Sequence, residues 1–339
     1  MKFFLLILSL LFSLISGKSV MGAAMSPTVI NVVRKSCVEV LVDRQLRGGG
    51  AIIEASGGRA YVITAAHLFP RPNPHITIMT EENGKFNANL VAYDFGHDLA
   101  LLEIATDVSL PTLNVASYTP SPTQPVYNFG PALRRRTLII SGDMADSRVN
   151  YTDFEPSDGY LAHIFIAAIN PVLTSGGIWV NQKGEIIGVQ SGRLKGDAGA
   201  PSSGLSMACP PSAIRRLAKN KRATNTPGIG GWVWELWTVD HEILKRVPEG
   251  MQGLAVRWVR DGGPLSRAGV RANEIILACD NRRMSRRSDL FSMIRAKPVG
   301  TSFSLSVYSP STKRTRKVKL KTIPLETRWN VYLQRLRQG

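Results

Sequence analysis

The chain has 339 residues, long for one domain and comfortable for two, each able to bury its own core. Lys+Arg number 42 against Asp+Glu 25, a net charge of +17, with the excess clustered at residues 134–136, 215–222, 282–287 and 313–321. These clusters read first as solvated basic loops and strand faces. An anionic envelope surface is a compatible partner, but no RNA-type aromatic motif or zinc spacing accompanies them, so nucleic acid is not expected. Three widely spaced cysteines, Cys37, Cys209 and Cys279, exclude a disulfide framework and a thiolate metal site and read as buried thiols.

In chain order, Lys2 followed by an apolar run over 3–15 reads as an export signal, too short for a comfortable membrane span. Gly22-Ala23-Ala24 offers small residues for cleavage after Ala24, and retention as an uncleaved anchor also fits. From about residue 28 to 210 short β-rich runs alternate with turn residues, predicting strands over 37–42, 59–64, 75–79, 89–93, 137–141, 163–169 and 185–190. Many short strands with little helix point to an all-β barrel or sandwich. A helix is predicted over 211–219, with Ile214 and Leu217 facing a core. Residues 221–231 are polar, basic and Gly/Pro-bearing, as in a linker.

A second unit follows over 232–323. Strands are predicted over 253–259, 274–280, 302–308 and 317–321, with a short helix over 265–268. A further helix over 288–294 would carry Leu290, Phe291 and Ile294 on one face and Ser288 as its cap. Residues 324–339 form a basic tail, either helical or loose.

Three boxes supply different members of one chemistry. Tyr61-Val62-Ile63-Thr64-Ala65-Ala66-His67 brings an imidazole, Gly96-His97-Asp98-Leu99-Ala100-Leu101-Leu102 a carboxylate, and Thr174-Ser175-Gly176-Gly177 a hydroxyl. A serine hydroxyl is a weak nucleophile until an imidazole takes its proton, and a carboxylate must hold that imidazole in the right tautomer. The order His, Asp, Ser is that of double-barrel peptidases. His97 and His75 lack such context and read as surface residues. Trp232, Trp234 and Trp237 read as packing on the second unit's core.

These boxes resemble the high-temperature-requirement (HtrA/Deg-type) serine peptidases. Gly49-Gly50-Ala51-Ile52-Ile53 resembles the family's glycine-led first barrel strand. Ile169-Asn170-Pro171, Ser175-Gly176-Gly177 and Gly184-Glu185-Ile186-Ile187-Gly188 resemble its serine box and following hairpin. Gly263-Pro264, Arg267-Ala268-Gly269-Val270 and Asn273-Glu274-Ile275-Ile276-Leu277 resemble PDZ stretches. The resemblance implies a mainly β architecture: a chymotrypsin-like double β-barrel over 28–220, followed by a PDZ-like α+β domain. It further implies a signal over 1–24, a periplasmic or envelope location, unfolded polypeptide substrates, a homo-oligomer (trimers are common in the family), a small or aliphatic P1 preference, and neither metal nor organic cofactor.

Two departures bear on function. The family's serine box reads Gly-Asn-Ser-Gly-Gly-Pro, whereas here Leu173 stands two positions before Ser175. The backbone N–H groups of Leu173 and Ser175 would form the oxyanion hole, and losing one donor costs about 2.7–4 kcal/mol in the transition state. By alignment the PDZ peptide-binding loop is Trp232-Val233-Trp234-Glu235, where a tryptophan replaces glycine and a carboxylate opposes an incoming C-terminus. The expectation is therefore an exported serine endopeptidase of protein quality control. Its rival is a catalytically degenerate binding or chaperone protein on the same scaffold.

Overall fold

The computed structural model describes residues 24–82, 84–132, 135–153, 160–194 and 203–325. The expected signal over 1–24 lies almost wholly outside them, as do residues 326–339 of the tail. No described helix is long and apolar enough to cross a membrane.

The first closed barrel comprises β1 (Cys37–Val42), β2 (Gln45–Ser56), β3 (Arg59–Ala65), β4 (Ile76–Thr80), β5 (Gly84–Asp94) and β6 (Leu99–Ala105), in the order β1-β2-β3-β6-β5-β4. Alternation drives it: Val38, Val40 and Val42 of β1 all turn inward. In β3 and β6 the apolar runs are buried almost throughout. The second closed barrel, β7 (Pro125–Ala132), β8 (Arg135–Asp153), β9 (Tyr160–Ala167), β10 (Ile178–Val180), β11 (Ile186–Arg193) and β12 (Leu205–Ala208), has the order β10-β11-β12-β9-β8-β7. Closure removes unpaired sheet edges. Phe129, Ile178, Val180 and Val189 of the second barrel join the first barrel's core, so the barrels share an apolar wall. The architecture is mainly β, a chymotrypsin-like double barrel.

Two helices flank the barrels. Helix α1 (Pro27–Ser36) was not anticipated, although its signals are present. Ser26 caps it, Pro27 opens it, and Val29 and Val33 recur at helical spacing against the Gly184 turn. Helix α2 (Pro211–Asn220) buries Ile214 and Leu217 as expected. Residues 221–231 are then pinned to the first barrel: Thr224 N–H donates to the Tyr93 carbonyl at 2.8 Å, and Thr226 reaches Asp94. A short pair, β13 (Pro227–Gly228) with β20 (Ile323–Pro324), ties this segment to the end of the C-terminal unit.

That unit is a sheet in the order β14-β15-β16-β18-β19, where β14 is Gly231–Glu235, β15 Leu254–Val259, β16 Ile275–Cys279, β18 Ser302–Ser309 and β19 Arg314–Lys321. The hairpin strand β17 (Arg282–Arg283) pairs with β16, and short helices α3 (His241–Leu244) and α4 (Pro264–Arg267) connect strands. Helix α5 (Arg287–Arg295) packs Leu290, Phe291 and Ile294 onto it as predicted. Its cap differs from expectation. Arg286 occupies the cap position without a side-chain bond, and Glu235 of β14 accepts from the Arg287 N–H at 3.0 Å. A carboxylate from another element satisfies the helix's orphan donor, so Ser288 is not needed. Of the tryptophans, Trp232 packs on the core and against Trp258, while Trp237 is 57% exposed, contrary to expectation.

The second barrel and the C-terminal sheet share one apolar cluster through Tyr151, Tyr160 and Ala162. The Tyr160 hydroxyl donates to the Val233 carbonyl at 2.6 Å and accepts from the Val233 N–H at 2.7 Å. Tyr160→Phe would leave both main-chain groups of a buried residue unpaired, so it should cost about 1–3 kcal/mol in urea unfolding. A cost below about 0.5 kcal/mol would mean that water substitutes for the hydroxyl.

Candidate active site

The imidazole and carboxylate of the sequence boxes meet at the end of the first barrel. β3 ends at Ala65, and a 3-10 turn over Ala66–Leu68 presents His67. Asp98 immediately precedes β6, which pairs with β3 so that Ala65 faces Leu99. One Asp98 oxygen accepts from the His67 backbone N–H at 2.8 Å, and the other lies 2.7 Å from His67 Nδ1. The Asp98 carbonyl accepts from Ala66 N–H at 3.0 Å. Asp98 is 3% exposed, and its backbone takes a left-handed φ of 54°, which an aspartate tolerates better than most side chains. An ionised carboxylate only accepts, so the imidazole proton sits on Nδ1 and the lone pair falls on Nε2.

The serine turn belongs to the second barrel but is anchored on the first. The Ser175 carbonyl accepts from Gly49 N–H at 2.8 Å, and Gly176 and Gln190 close the turn from the other side. Thr64, three residues before His67, donates to the Gly49 carbonyl at 2.6 Å. A Cβ on Gly176 would collide with that carbonyl and with the Thr64 hydroxyl, and one on Gly48 would collide with the Ser175 carbonyl. Glycines here permit contact of two backbones. Ser175 itself is half-buried.

Leu173 holds φ at +72°, the left-handed region that glycine enters freely and a leucine enters at a cost of about 1–2 kcal/mol. A leucine side chain thus sits on a backbone of the kind glycine adopts. Among the described residues neither the Leu173 nor the Ser175 N–H donates to a backbone carbonyl, whereas those of Gly176 and Gly177 do. Leu173 and His67 line one cleft of about 810 Å³, together with Gln45, Arg47 and Pro70. Ile169 and Val172, in the segment leading to Leu173, are 70% and 55% exposed.

His97 departs from its reading as a surface residue. Its Nδ1 lies 2.9 Å from Asp94, whose buried carboxylate also accepts from Arg216 at 3.0 Å. Burial alone would raise the Asp94 pKa, but the His97 and Arg216 partners outweigh it and hold the carboxyl below the ordinary range. The signal was available as an aspartate three residues before His97 in Asp94-Phe95-Gly96-His97. His75 is exposed as expected. The residues Trp232, Val233, Trp234 and Glu235 lie together on β14. Trp234 stacks under Arg257, and Glu235 faces Arg287. All three cysteines are buried and free, and no metal-holding group of His, Cys, Asp or Glu occurs among the described residues.

Residues 48–189 match the family model of the trypsin-like peptidase domain. The chain is 25% identical over 299 residues to a serine protease Do-like HtrA of Lactococcus lactis, covering 83% of this chain and 72% of that protein. It is 26% identical over 273 residues to the periplasmic serine endoprotease DegP of Salmonella typhimurium, covering 77% of this chain and 54% of that one. These curated relatives are serine proteases to which the chain is similar at about a quarter identity. The fold likeness to a solved HtrA-type protease, AlgW with a decapeptide, has a TM-score of 0.62 at 18% identity and covers 88% of this chain and 99% of that one. A serine endoprotease from Yersinia pestis gives 0.59 at 19%, covering 88% and 97%. The chain thus spans little more than half of the DegP protein it matches, and nearly all of the solved HtrA-type chains.

One buried group near the site yields a pH test. His163 of β9 is fully buried, its Nδ1 is 2.8 Å from Thr152 Oγ1, and its Nε2 has no partner among the described residues. Burial lowers its pKa from 6.5 to about 3, with His97 and Arg295 adding to the effect and Asp98 opposing it. Between these values the unfolded chain binds the proton and the folded one does not. Stability from this group is therefore full above pH 6.5 and falls as acid is added toward pH 3. Urea unfolding of wild type should weaken from pH 6.5 to 4, and His163→Gln should flatten that slope; equal slopes would show that other groups carry it.

Proposed function

We propose that this chain is an exported serine endopeptidase that cuts unfolded or damaged polypeptides in the periplasm or cell envelope. The observation that carries the reading is the two-point clamp of Asp98 on His67, 2.7 Å to Nδ1 and 2.8 Å to the backbone N–H, beside a serine turn anchored to the same barrel. Ser175 attacks the scissile carbonyl while His67 Nε2 takes its proton and later gives it to the leaving amine. Asp98 orients the ring and stabilises the imidazolium. The Leu173 and Ser175 N–H groups hold the oxyanion. Exposed Ile169 and Val172, in the segment leading to the serine turn, suit apolar segments of unfolded chains. The unit over 232–323 acts as a PDZ-like module that feeds or regulates substrate, residues 28–220 form the peptidase unit, and a homo-oligomer follows the family habit.

A second reading, a non-cleaving binding protein, is favoured by one observation. Leu173, which lines the cleft, carries a branched side chain where the family has none. A fluorophosphonate probe separates the two. The wild type should be labelled, Ser175→Ala should not be, and Leu173→Gly should be labelled faster or equally. A folded wild type that stays unlabelled, with labelling gained in Leu173→Gly, would support the binding protein.

A further inference from the structure

A basic residue in the last turn of a helix is ordinarily solvated and serves that helix's own carbonyl end. Arg295, which ends α5, does something else. Its guanidinium reaches out of the C-terminal unit into the barrel region, where Nη1 donates to the Gly96 carbonyl at 2.9 Å and Nη2 donates to the Tyr160 carbonyl. The group stacks on Tyr151, 5.1 Å from the ring centre, and beside it Phe291 of α5 packs on Tyr160 at 4.5 Å. Among the described residues no carboxylate touches it, the Asp94 charge acting on it only from a distance, and its Nε is buried without a partner. Burial draws its pKa down to about 10, so it stays charged at neutral pH. A half-buried cation whose direct partners are two main-chain carbonyls is a costly arrangement unless those carbonyls are what it is there to hold.

Gly96 is two residues from Asp98. The turn between Asp94 and Asp98 is tight, with His97 N–H returning to the Asp94 carbonyl at 3.2 Å and Asp98 at a left-handed φ. Its far end is fixed by Arg216 and Thr226 on the Asp94 carboxylate. Its middle is fixed at the Gly96 carbonyl, which also accepts from Ala162 N–H at 2.9 Å. The charged and titratable groups facing the turn are Asp94, His97, Arg216, His163 and Arg295.

We propose that Arg295 is a positioning residue for Asp98: by holding the Gly96 carbonyl it lets the docked C-terminal unit set the carboxylate that orients His67. This rests on the triad reading above. Coupling runs through one hydrogen bond and a three-residue turn, so undocking of the sheet would slacken the carboxylate without touching the serine turn.

The test uses the full chain with Arg295→Met and Arg295→Lys. Two readouts are taken: the rate of fluorophosphonate labelling, and hydrogen exchange at the Ala66 and His67 amides, both of which donate to Asp98. The Met variant should lose up to about 10²-fold in labelling rate, the scale of a small misplacement of a reacting group. Exchange at Ala66 and His67 should quicken while Gly49 and Gln190, which hold the serine turn, keep their protection. The Lys variant, able to reach one carbonyl, should fall between; if the Met variant does not fold, the Lys variant carries the test. Wild-type labelling and exchange in a folded variant would overturn the proposal, as would uniform loss of protection across both barrels. An unlabelled wild type would defeat the triad reading instead, leaving the exchange result to decide whether Arg295 holds the turn.

Discussion

The candidate centre depends on one hydrogen bond across the two barrels, from the Gly49 N–H of the first to the Ser175 carbonyl of the second. Each barrel closes on its own, so neither sheet's ladder fixes where the other stands. The shared wall of Phe129, Ile178 and Val189 supplies non-directional adhesion. Direction comes from the Gly48–Gly49 stretch, where the absence of side chains lets β2 touch the serine turn, and from Thr64, which locks the Gly49 carbonyl three residues before His67. Hydroxyl-bearing and imidazole-bearing turns are thereby referred to one strand.

The carboxylate is held differently. Asp98 sits at the end of a turn whose stability comes from groups outside the first barrel's ladder. Arg216 is supplied by α2, Thr226 by the segment after it, Ala162 by β9 and Arg295 by α5. Four parts of the chain converge on five residues. That arrangement makes the acid the member most exposed to events elsewhere in the molecule, while the serine turn is held by the barrel contact and by Gln190 of its own barrel. The basic excess has a structural share as well, since Arg216, Arg287, Arg295 and Arg316 are spent on internal acceptors.

Much of this was legible in the sequence because the signals were local. Alternation in 37–42 and 59–64 announced strands, and helical spacing of Leu290, Phe291 and Ile294 announced α5. The order of the His67, Asp98 and Ser175 boxes announced the double barrel. What was not legible required partners distant in the chain. Ser288 looks like a cap because its true substitute, Glu235, lies 52 residues before Arg287. His97 looked exposed because Arg216 was not visible as the second partner of Asp94. Leu173 reads as a lost glycine, and only the backbone shows that it holds a left-handed conformation. Helix α1 was missed despite its Ser26-Pro27 start, since its valines also fit a strand.

The most direct test of the inter-barrel account is Gly48→Ala, assayed by the rate of serine labelling in a protein whose fold is checked by circular dichroism. A methyl group at this position meets the Ser175 carbonyl itself, a backbone atom that cannot rotate away. If the contact builds the centre, labelling should fall by about 10²-fold with both barrels intact. Labelling at the wild-type rate in the folded variant would contradict it, because the serine turn would then be placed by its own barrel alone.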